Sequence, residues 1–218
     1  MLQASDIQKS YGQVPVLKGV DMQLSEGEVV ALVGKSGAGK STLLQILGTL
    51  DRPDQGSVQF DGKNILSMGE RETAEFRNES LGFVFQFHNL LPEFTAVENV
   101  CMPAFIQGAN KISAMEKGKE LLVNLGLGHR LDHKPTQMSG GEQQRVAVAR
   151  SLINSPKLVL ADEPTGNLDT QNSEALYEII FGMARQMGVG FLIATHNQEM
   201  ARQADRVIHI QDGVLVDL

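Results

Sequence analysis

The feature that most constrains the fold is a glycine-rich loop, Gly34-Lys35-Ser36-Gly37-Ala38-Gly39-Lys40-Ser41. It follows Glu28–Val33, an apolar run rich in β-branched residues that is typical of a strand buried on both faces. The segment after it, Thr42–Leu47, has the pattern of a helix start. Backbone N–H groups in such a loop bind phosphate at the positive end of the helix dipole. The sequence therefore predicts a P-loop, lined by these residues and Thr42, in which Lys40 contacts the β- and γ-phosphates of a nucleoside triphosphate and the Ser41 hydroxyl holds magnesium.

Two further apolar runs end in polar residues that suit hydrolysis of a triphosphate. Lys157–Asp162 is predicted as a buried strand, and Glu163 follows it. We expect Asp162 to contact the magnesium shell and Glu163 to polarise the attacking water. Phe191–Thr195 is predicted as a third such strand, with His196 at its end. Because ligands collect at the carboxyl ends of parallel strands, these side chains are expected beside the P-loop.

A second glycine-rich segment lies ahead of the strand that ends in Asp162. From Leu2 to about Val216 the motifs stand in this order: Tyr11, the P-loop, Gln86, Ser139-Gly140-Gly141, Asp162-Glu163, Gly166-Asn167-Leu168-Asp169 and His196. This order resembles that of ABC-transporter ATPase subunits, and no other P-loop class has such a serine–glycine signature ahead of its second acidic strand. The signature departs mildly from the commonest family form, because Met138 replaces Leu before it and Glu142 replaces Gln after it. The role of Glu142 stays open.

The resemblance implies roles for residues that the spacing alone does not assign. It implies that Tyr11 stacks on adenine, that Gln86 links the metal to a membrane partner, and that His196 senses the γ-phosphate. It also implies that the signature contacts nucleotide bound to a second copy of the chain, with Asp169 at the same interface, so that the sites form in a homodimer. The resemblance implies that the catalytic residues are Lys40, Gln86, Glu163 and His196. It implies a metal site formed by Ser41, Gln86 and Asp162. The implied cofactors are ATP and Mg²⁺.

The expected fold class is α/β, a P-loop NTPase core with a mixed sheet, an antiparallel β flank and an inserted helical subdomain. Further strands are predicted at Leu2–Ile7, Val20–Leu24, Ser57–Phe60, Arg206–Ile210 and Val214–Asp217, with turns at Asp61-Gly62 and Asp212-Gly213. Strand signals fade between Gln86 and Pro156, where helical ones dominate. We therefore expect a single ABC ATPase domain over 1–218, in which 1–85 and 157–218 form the nucleotide-binding core and 86–156 the helical subdomain.

Composition limits the cellular compartments and the partners that we expect for this chain. No apolar stretch in its 218 residues approaches the ~20 needed to span a bilayer. The start, Met1–Asp6, lacks the pattern of a secretory signal, and Cys101 is the only cysteine, which suits a reducing compartment. A net charge of −7 without a basic run argues against nucleic acid as a partner. We therefore expect a subunit that depends on other chains for its membrane segment.

The Phe85–Val100 segment resembles one branch of the ABC ATPases, the lipoprotein-releasing subunits and their macrolide-export and cell-division relatives. The sequence of Ala161–Asp169 also resembles the form seen in this branch. The resemblance implies a peripheral subunit on the cytoplasmic face of the bacterial inner membrane, with two integral membrane subunits docking near Gln86–Glu98. ATP hydrolysis would then power lipoprotein release toward a periplasmic carrier. For the aromatic residues and leucines of this segment, such as Phe94, the alternatives are docking anchors or core of the helical subdomain.

Other function classes fit the chain less well. The nearest alternative is the ATPase of a macrolide-export-like or cell-division-like complex. A soluble ABC ATPase acting on DNA or ribosomes would usually carry a second ATPase domain or a long coiled-coil insertion, and this chain shows neither pattern. A GTPase would need an Asn-Lys-x-Asp motif, whereas Asn110-Lys111-Ile112-Ser113 lacks the Asp.

Overall fold

The computed structural model describes residues 1–216, whose strands form two sheets. The strands are β1 (Leu2–Tyr11), β2 (Val14–Leu24), β3 (Val29–Val33), β4 (Gln55–Phe60), β5 (Lys63–Asn64), β6 (Leu81–Val84), β7 (Leu158–Asp162), β8 (Gly190–Thr195), β9 (Arg206–Gln211) and β10 (Val214–Val216). The α-helices are α1 (Lys40–Leu47), α2 (Glu70–Ser80), α3 (Ala96–Ile106), α4 (Lys111–Asn124), α5 (Gly140–Leu152), α6 (Thr170–Met187) and α7 (Gln198–Ala201). Short 3₁₀ turns occupy Ile65–Ser67 and Pro135–Gln137.

The larger sheet has six strands in the order β10-β9-β3-β8-β7-β6. All its pairings are parallel except that of β10 with β9. Every residue of β3 is buried, as its unbroken apolar run predicts for a strand covered on both faces. Val29, Ala31 and Val33 pack into one core with residues of α3, α5 and α6, whereas Val30 and Leu32 pack into a second core with residues of α1 and the smaller sheet.

The smaller sheet is antiparallel, in the order β2-β1-β4-β5. The predicted fold class is confirmed, with the difference that the antiparallel flank is a sheet of its own. In this sheet β1 lies between β2 and β4 and is antiparallel to both.

Both predicted hairpin turns are confirmed. Asp61 and Gly62 join β4 to β5 with φ of 49° and 78°, and Asp212 and Gly213 join β9 to β10 with φ of 48° and 84°. Two consecutive positive φ angles are the geometry that Asp-Gly favours in two-residue hairpin loops. Asp217, predicted as part of the last strand, lies outside the described residues.

The described stretch between β6 and β7 contains α3, α4 and α5 and no strand. Each of these helices is preceded by a residue whose side chain accepts a hydrogen bond from a backbone N–H of the first turn: Thr95 caps α3, Asn110 caps α4 and Ser139 caps α5. Cys101 is buried between α3 and α4, where burial raises the pKa of its thiol to about 11. The domain boundaries at 86 and 156 stay a prediction. No helix within residues 1–216 is both long and apolar enough to span a bilayer.

Candidate functional site

The glycine-rich loop connects the end of β3 to the start of α1. Gly39 stands at the helix N-terminus with φ of 107°; it has no side chain to cap the helix, and the first turn of α1 contains no acidic residue. A Cβ at Gly34 would collide with the Ile210 backbone oxygen, so this position requires glycine. The first N–H groups of α1 are therefore free to receive an anion.

The Lys40 side chain is buried beneath the loop, with 7 % of its surface exposed. Its ammonium group donates hydrogen bonds to the carbonyl oxygens of Gly34, at 2.8 Å, and Lys35, at 3.3 Å. It also lies 3.6 Å from Glu163 Oε1. The loop backbone thus holds one positive charge at the point where phosphates would enter.

The parallel order β3-β8-β7 brings the predicted strand ends together. Glu163 follows β7, His196 follows β8, and Glu163 Oε2 lies 2.9 Å from His196 Nδ1. Glu163 has a φ of 45°, a conformation that non-glycine residues seldom adopt. Its backbone N–H donates to the Ala194 carbonyl at 2.9 Å, which fastens this turn to β8. The carboxylate is therefore directed between Lys40 and His196.

Asp162 and Ser41 provide oxygen atoms at the floor of the site. They border the same small cavity between α1 and β7. Asp162 Oδ1 is buried without a hydrogen-bond partner, and a buried carboxylate oxygen without a partner is costly unless a cation or donor satisfies it. Carboxylate and hydroxyl oxygens are the ligands that magnesium takes in proteins. The residues present therefore fit a magnesium ion.

These groups open into a cleft of about 680 Å³, within the range of small-molecule sites. The lining includes P-loop residues and Thr42 on one side and Gln86, Glu163 and His196 on the other, with Tyr11 at the edge and half exposed. The Asn167 side chain donates to the Gln86 carbonyl at 2.9 Å. The turn after β7 thereby also fixes the segment that carries Gln86.

The serine–glycine signature does not line this cleft, and neither does Asp169. Asp169 caps α6 and accepts two hydrogen bonds from Asn172, whose side chain lies next to Gly141. The signature and Asp169 thus share one neighbourhood, apart from the P-loop of their own chain.

The structure gives Glu142 a role that the sequence left open. Glu142 Oε2 accepts from the Ser139 backbone N–H at 2.7 Å, and the Ser139 hydroxyl accepts from the Glu142 N–H at 3.2 Å, which forms a capping box at the start of α5. Glu142 Oε1 accepts from Arg130 Nε at 2.8 Å. The backbone hydrogen bond from Ser139 and the contact with Arg130 hold the pKa of Glu142 below its ordinary value.

Two supporting contacts have no local sequence signal. Arg150 of α5 donates to the carbonyl oxygens of His88 and Asn89 at 2.8 and 2.7 Å, so the signature helix holds the segment after Gln86. The buried Tyr177 hydroxyl lies 2.7 Å from Thr165 Oγ1 and 3.4 Å from Thr195 Oγ1, which links the turns that carry Glu163 and His196. Each contact joins residues far apart in the chain.

The P-loop at a helix N-terminus, beside an acidic strand end, defines a P-loop nucleoside triphosphatase. Residues 17–166 match the family described as ABC transporter. The chain belongs to this family, as an ATP-binding ATPase subunit, and the resemblance found in the sequence is confirmed.

Relatives match nearly the whole chain. The protein is 56 % identical over 216 residues to the lipoprotein-releasing system ATP-binding protein LolD of Cytophaga hutchinsonii, with 99 % of each chain covered. It is 53 % identical over 215 residues to LolD of Porphyromonas gingivalis, covering 99 % of this chain and 98 % of that one. A solved dimeric structure of the ATP-binding cassette MJ0796, in a post-hydrolysis state with ADP and Pi, is 36 % identical with a TM-score of 0.91, covering 100 % of this chain and 97 % of that one.

Glu142→Gln should destabilise the chain at neutral pH by ~0.5–1 kcal/mol, because glutamine keeps the cap but loses the ion pair with Arg130. A lowered carboxyl pKa gives stability that is complete above the unfolded value of about 4.5 and is lost as the pH falls through the folded one. Urea unfolding at neutral pH and in acid should show the gap between the two proteins closing in acid. A gap that is constant or wider in acid would contradict this assignment.

Proposed function

We propose that this chain is the ATP-hydrolysing subunit of a lipoprotein-releasing ABC transporter. The observation that carries the hydrolytic part is the position of Glu163 between Lys40 and His196 at the edge of the P-loop cleft. The names of the two bacterial relatives support lipoprotein as the cargo, in preference to the macrolide-export and cell-division alternatives.

The ion pair between Lys40 and Glu163 suggests how binding prepares hydrolysis. When the β- and γ-phosphates arrive, the Lys40 ammonium turns to them, because they carry more negative charge than one carboxylate. Glu163 Oε1 is then released to accept a proton from the attacking water, while Oε2 stays against His196. In this proposal His196 contacts both the γ-phosphate and the Glu163 carboxylate, so that binding of the γ-phosphate affects the position of the carboxylate.

Magnesium would be held by Ser41 and Asp162, with Gln86 at the edge of the cleft. When bound, the ion neutralises charge on the phosphate oxygens. The buried, unpaired Asp162 oxygen supports this assignment most directly. Gln86 is held by the turn after β7, so its distance from the metal site depends on the same turn that carries Glu163.

A homodimer would complete the site. Within one chain the residues Ser139–Gly141 and Asp169 lie away from the P-loop cleft. The MJ0796 cassette is dimeric in its structure with ADP and Pi. In a face-to-face dimer of this chain, the signature of each copy contacts the nucleotide on the other.

The surface that would receive the membrane subunits lies between α2, α3 and the end of β6. A groove of about 520 Å³ here is bordered by Arg77, Phe85, Pro103 and Ile106. Phe87 is exposed over 70 % of its surface and Phe94 over 39 %, which favours docking anchors over core for both. Docked here, the chain would be a peripheral subunit at the cytoplasmic face of the inner membrane. The groove extends the expected Gln86–Glu98 region to Ile106.

Glu163→Gln should keep ATP binding and lower hydrolysis by about a hundredfold or more, because an amide cannot accept the proton of water. Lys40→Ala is the matched control that should weaken ATP binding itself. Assembled with the membrane proteins that copurify with it, the unmodified chain should release a membrane-anchored lipoprotein when ATP is added, and Glu163→Gln should not. Near wild-type hydrolysis by Glu163→Gln would remove this residue from the base role, and ATP-driven release of another cargo would refute lipoprotein release.

A mixed dimer of Lys40→Ala and Ser139→Arg chains tests which copy supplies the signature. If each signature completes the site on the other copy, one site carries both lesions and the other carries none. One functional nucleotide site per dimer should then remain, and nucleotide trapping would count it. If each signature served its own chain, both sites would be damaged. Crosslinking of Ser139 to the P-loop of its own chain would also argue against the shared site.

Phe87→Ala should weaken association with the membrane subunits by ~2 kcal/mol or more, the usual loss for an aromatic anchor in an interface. The matched control is Ile112→Ala on α4, which is exposed to the same 70 % but lies outside the Gln86–Glu98 segment proposed to receive the membrane subunits. Neither change should alter the unfolding midpoint of the free subunit, because neither side chain is packed in it. Equal retention of membrane subunits by both variants in a pull-down would place the docking surface elsewhere.

A further inference from the structure

Tyr11 stands at the end of β1 with half of its surface exposed, and it borders the P-loop cleft. An exposed tyrosine ring ordinarily samples several rotamers, and fixing one of them costs conformational entropy. A ring that stacks on a base therefore binds better when the protein already holds it in place. In this chain the ring is held.

The Tyr11 ring is tethered at its hydroxyl by the Asp51 carboxylate. The Tyr11 hydroxyl donates to Asp51 Oδ2 at 2.6 Å, and Asp51 Oδ1 accepts from Lys9 Nζ at 3.0 Å and from the Arg52 backbone N–H at 2.7 Å. The Lys9 ammonium, whose side chain is 12 % exposed, also lies 5.2 Å from the centre of the Tyr11 ring. The ring is thus fixed at its hydroxyl and approached by a cation near its centre.

Asp51 ties the ring to the helix that carries the P-loop. The backbone N–H groups of Leu50 and Asp51 donate to the Gln45 carbonyl at 2.8 and 3.2 Å, which fastens the Asp51 turn to the last part of α1. Since α1 begins at Lys40, the distance from the phosphate site to the ring is set through one rigid helix.

We propose that Asp51 is a positioning residue for nucleotide binding, which holds the Tyr11 ring at a fixed distance from the P-loop so that it can stack on the base of ATP. This rests on the proposed role of Tyr11 in the ATP site. The hydrogen bond to Asp51 also raises the pKa of Tyr11, which keeps the hydroxyl protonated as a donor.

The test compares a ligand with a base and one without. Asp51→Ala should weaken binding of ATP about three- to tenfold, because it removes the charged acceptor of the ring hydroxyl. It should leave binding of inorganic tripolyphosphate unchanged, since the P-loop is intact. In hydrolysis the KM for ATP should rise while kcat stays the same. The matched control is Asp54→Ala, which removes a neighbouring carboxylate that accepts from the Ser10 N–H at 2.7 Å and makes no hydrogen bond to Tyr11.

Variants of the ring itself separate this inference from the proposed function. Tyr11→Ala should weaken ATP about tenfold or more through lost stacking, and adding Asp51→Ala to it should cause no further loss. Tyr11→Phe keeps the ring but breaks the same hydrogen bond, so it should match Asp51→Ala and serve in its place if that variant folds poorly.

Three results would overturn the inference. Unchanged ATP affinity in Asp51→Ala, with weakened ATP binding in Tyr11→Ala, would refute the tether and leave the ATP site as proposed. Equal losses for ATP and tripolyphosphate in Asp51→Ala would show that Asp51 acts on the P-loop. Unchanged ATP affinity in Tyr11→Ala would refute the role of Tyr11 in the proposed function, and the inference with it.

Discussion

The interaction on which the site depends is the contact of the Lys40 ammonium with the P-loop carbonyls and Glu163. It requires three strands in one register: Val33 lies opposite Thr195, and Ala194 lies opposite Asp162. A slip of one residue would turn the side chains of a strand to the opposite face and carry Glu163 or His196 away from the loop. The strands keep this register because alternate residues of β3 are committed to two different cores.

Helix α5 connects the two surfaces at which this protein would meet partners. Ser139 caps its start, and Arg150, near its end, holds the segment that follows Gln86. Gln144, in between, donates to the Phe85 carbonyl at 3.2 Å. A displacement of the signature toward a second copy of the chain would therefore also move the segment from Phe85 to Asn89, which borders the docking groove. One rigid helix can thus couple nucleotide sites to a membrane partner.

The sequence predicted the parts of the molecule that local patterns determine. The P-loop and the Asp-Gly turns were predictable because their backbone conformation depends on neighbouring residues. Strand β6 was missed, since its four residues include Gly82 and follow a polar helix. The contacts of Asp51 with Tyr11 and of Tyr177 with Thr165 could not be predicted, because the fold alone brings those residues together. Sequence patterns therefore indicated the groups that we propose take part in hydrolysis, but not the residues that hold them in place.

The left-handed conformation of Glu163 shows why such supporting residues matter. A non-glycine residue held there costs on the order of 1 kcal/mol or more, which the surrounding structure must offset. Two constraints hold this turn: the Glu163 N–H is bonded to Ala194, and the Thr165 hydroxyl contacts Tyr177, which also reaches Thr195. The same tyrosine thus braces the turns that carry Glu163 and His196. Because the brace is buried and lies apart from the cleft, it can fix the carboxylate between Lys40 and His196 without occupying the space that the phosphates require.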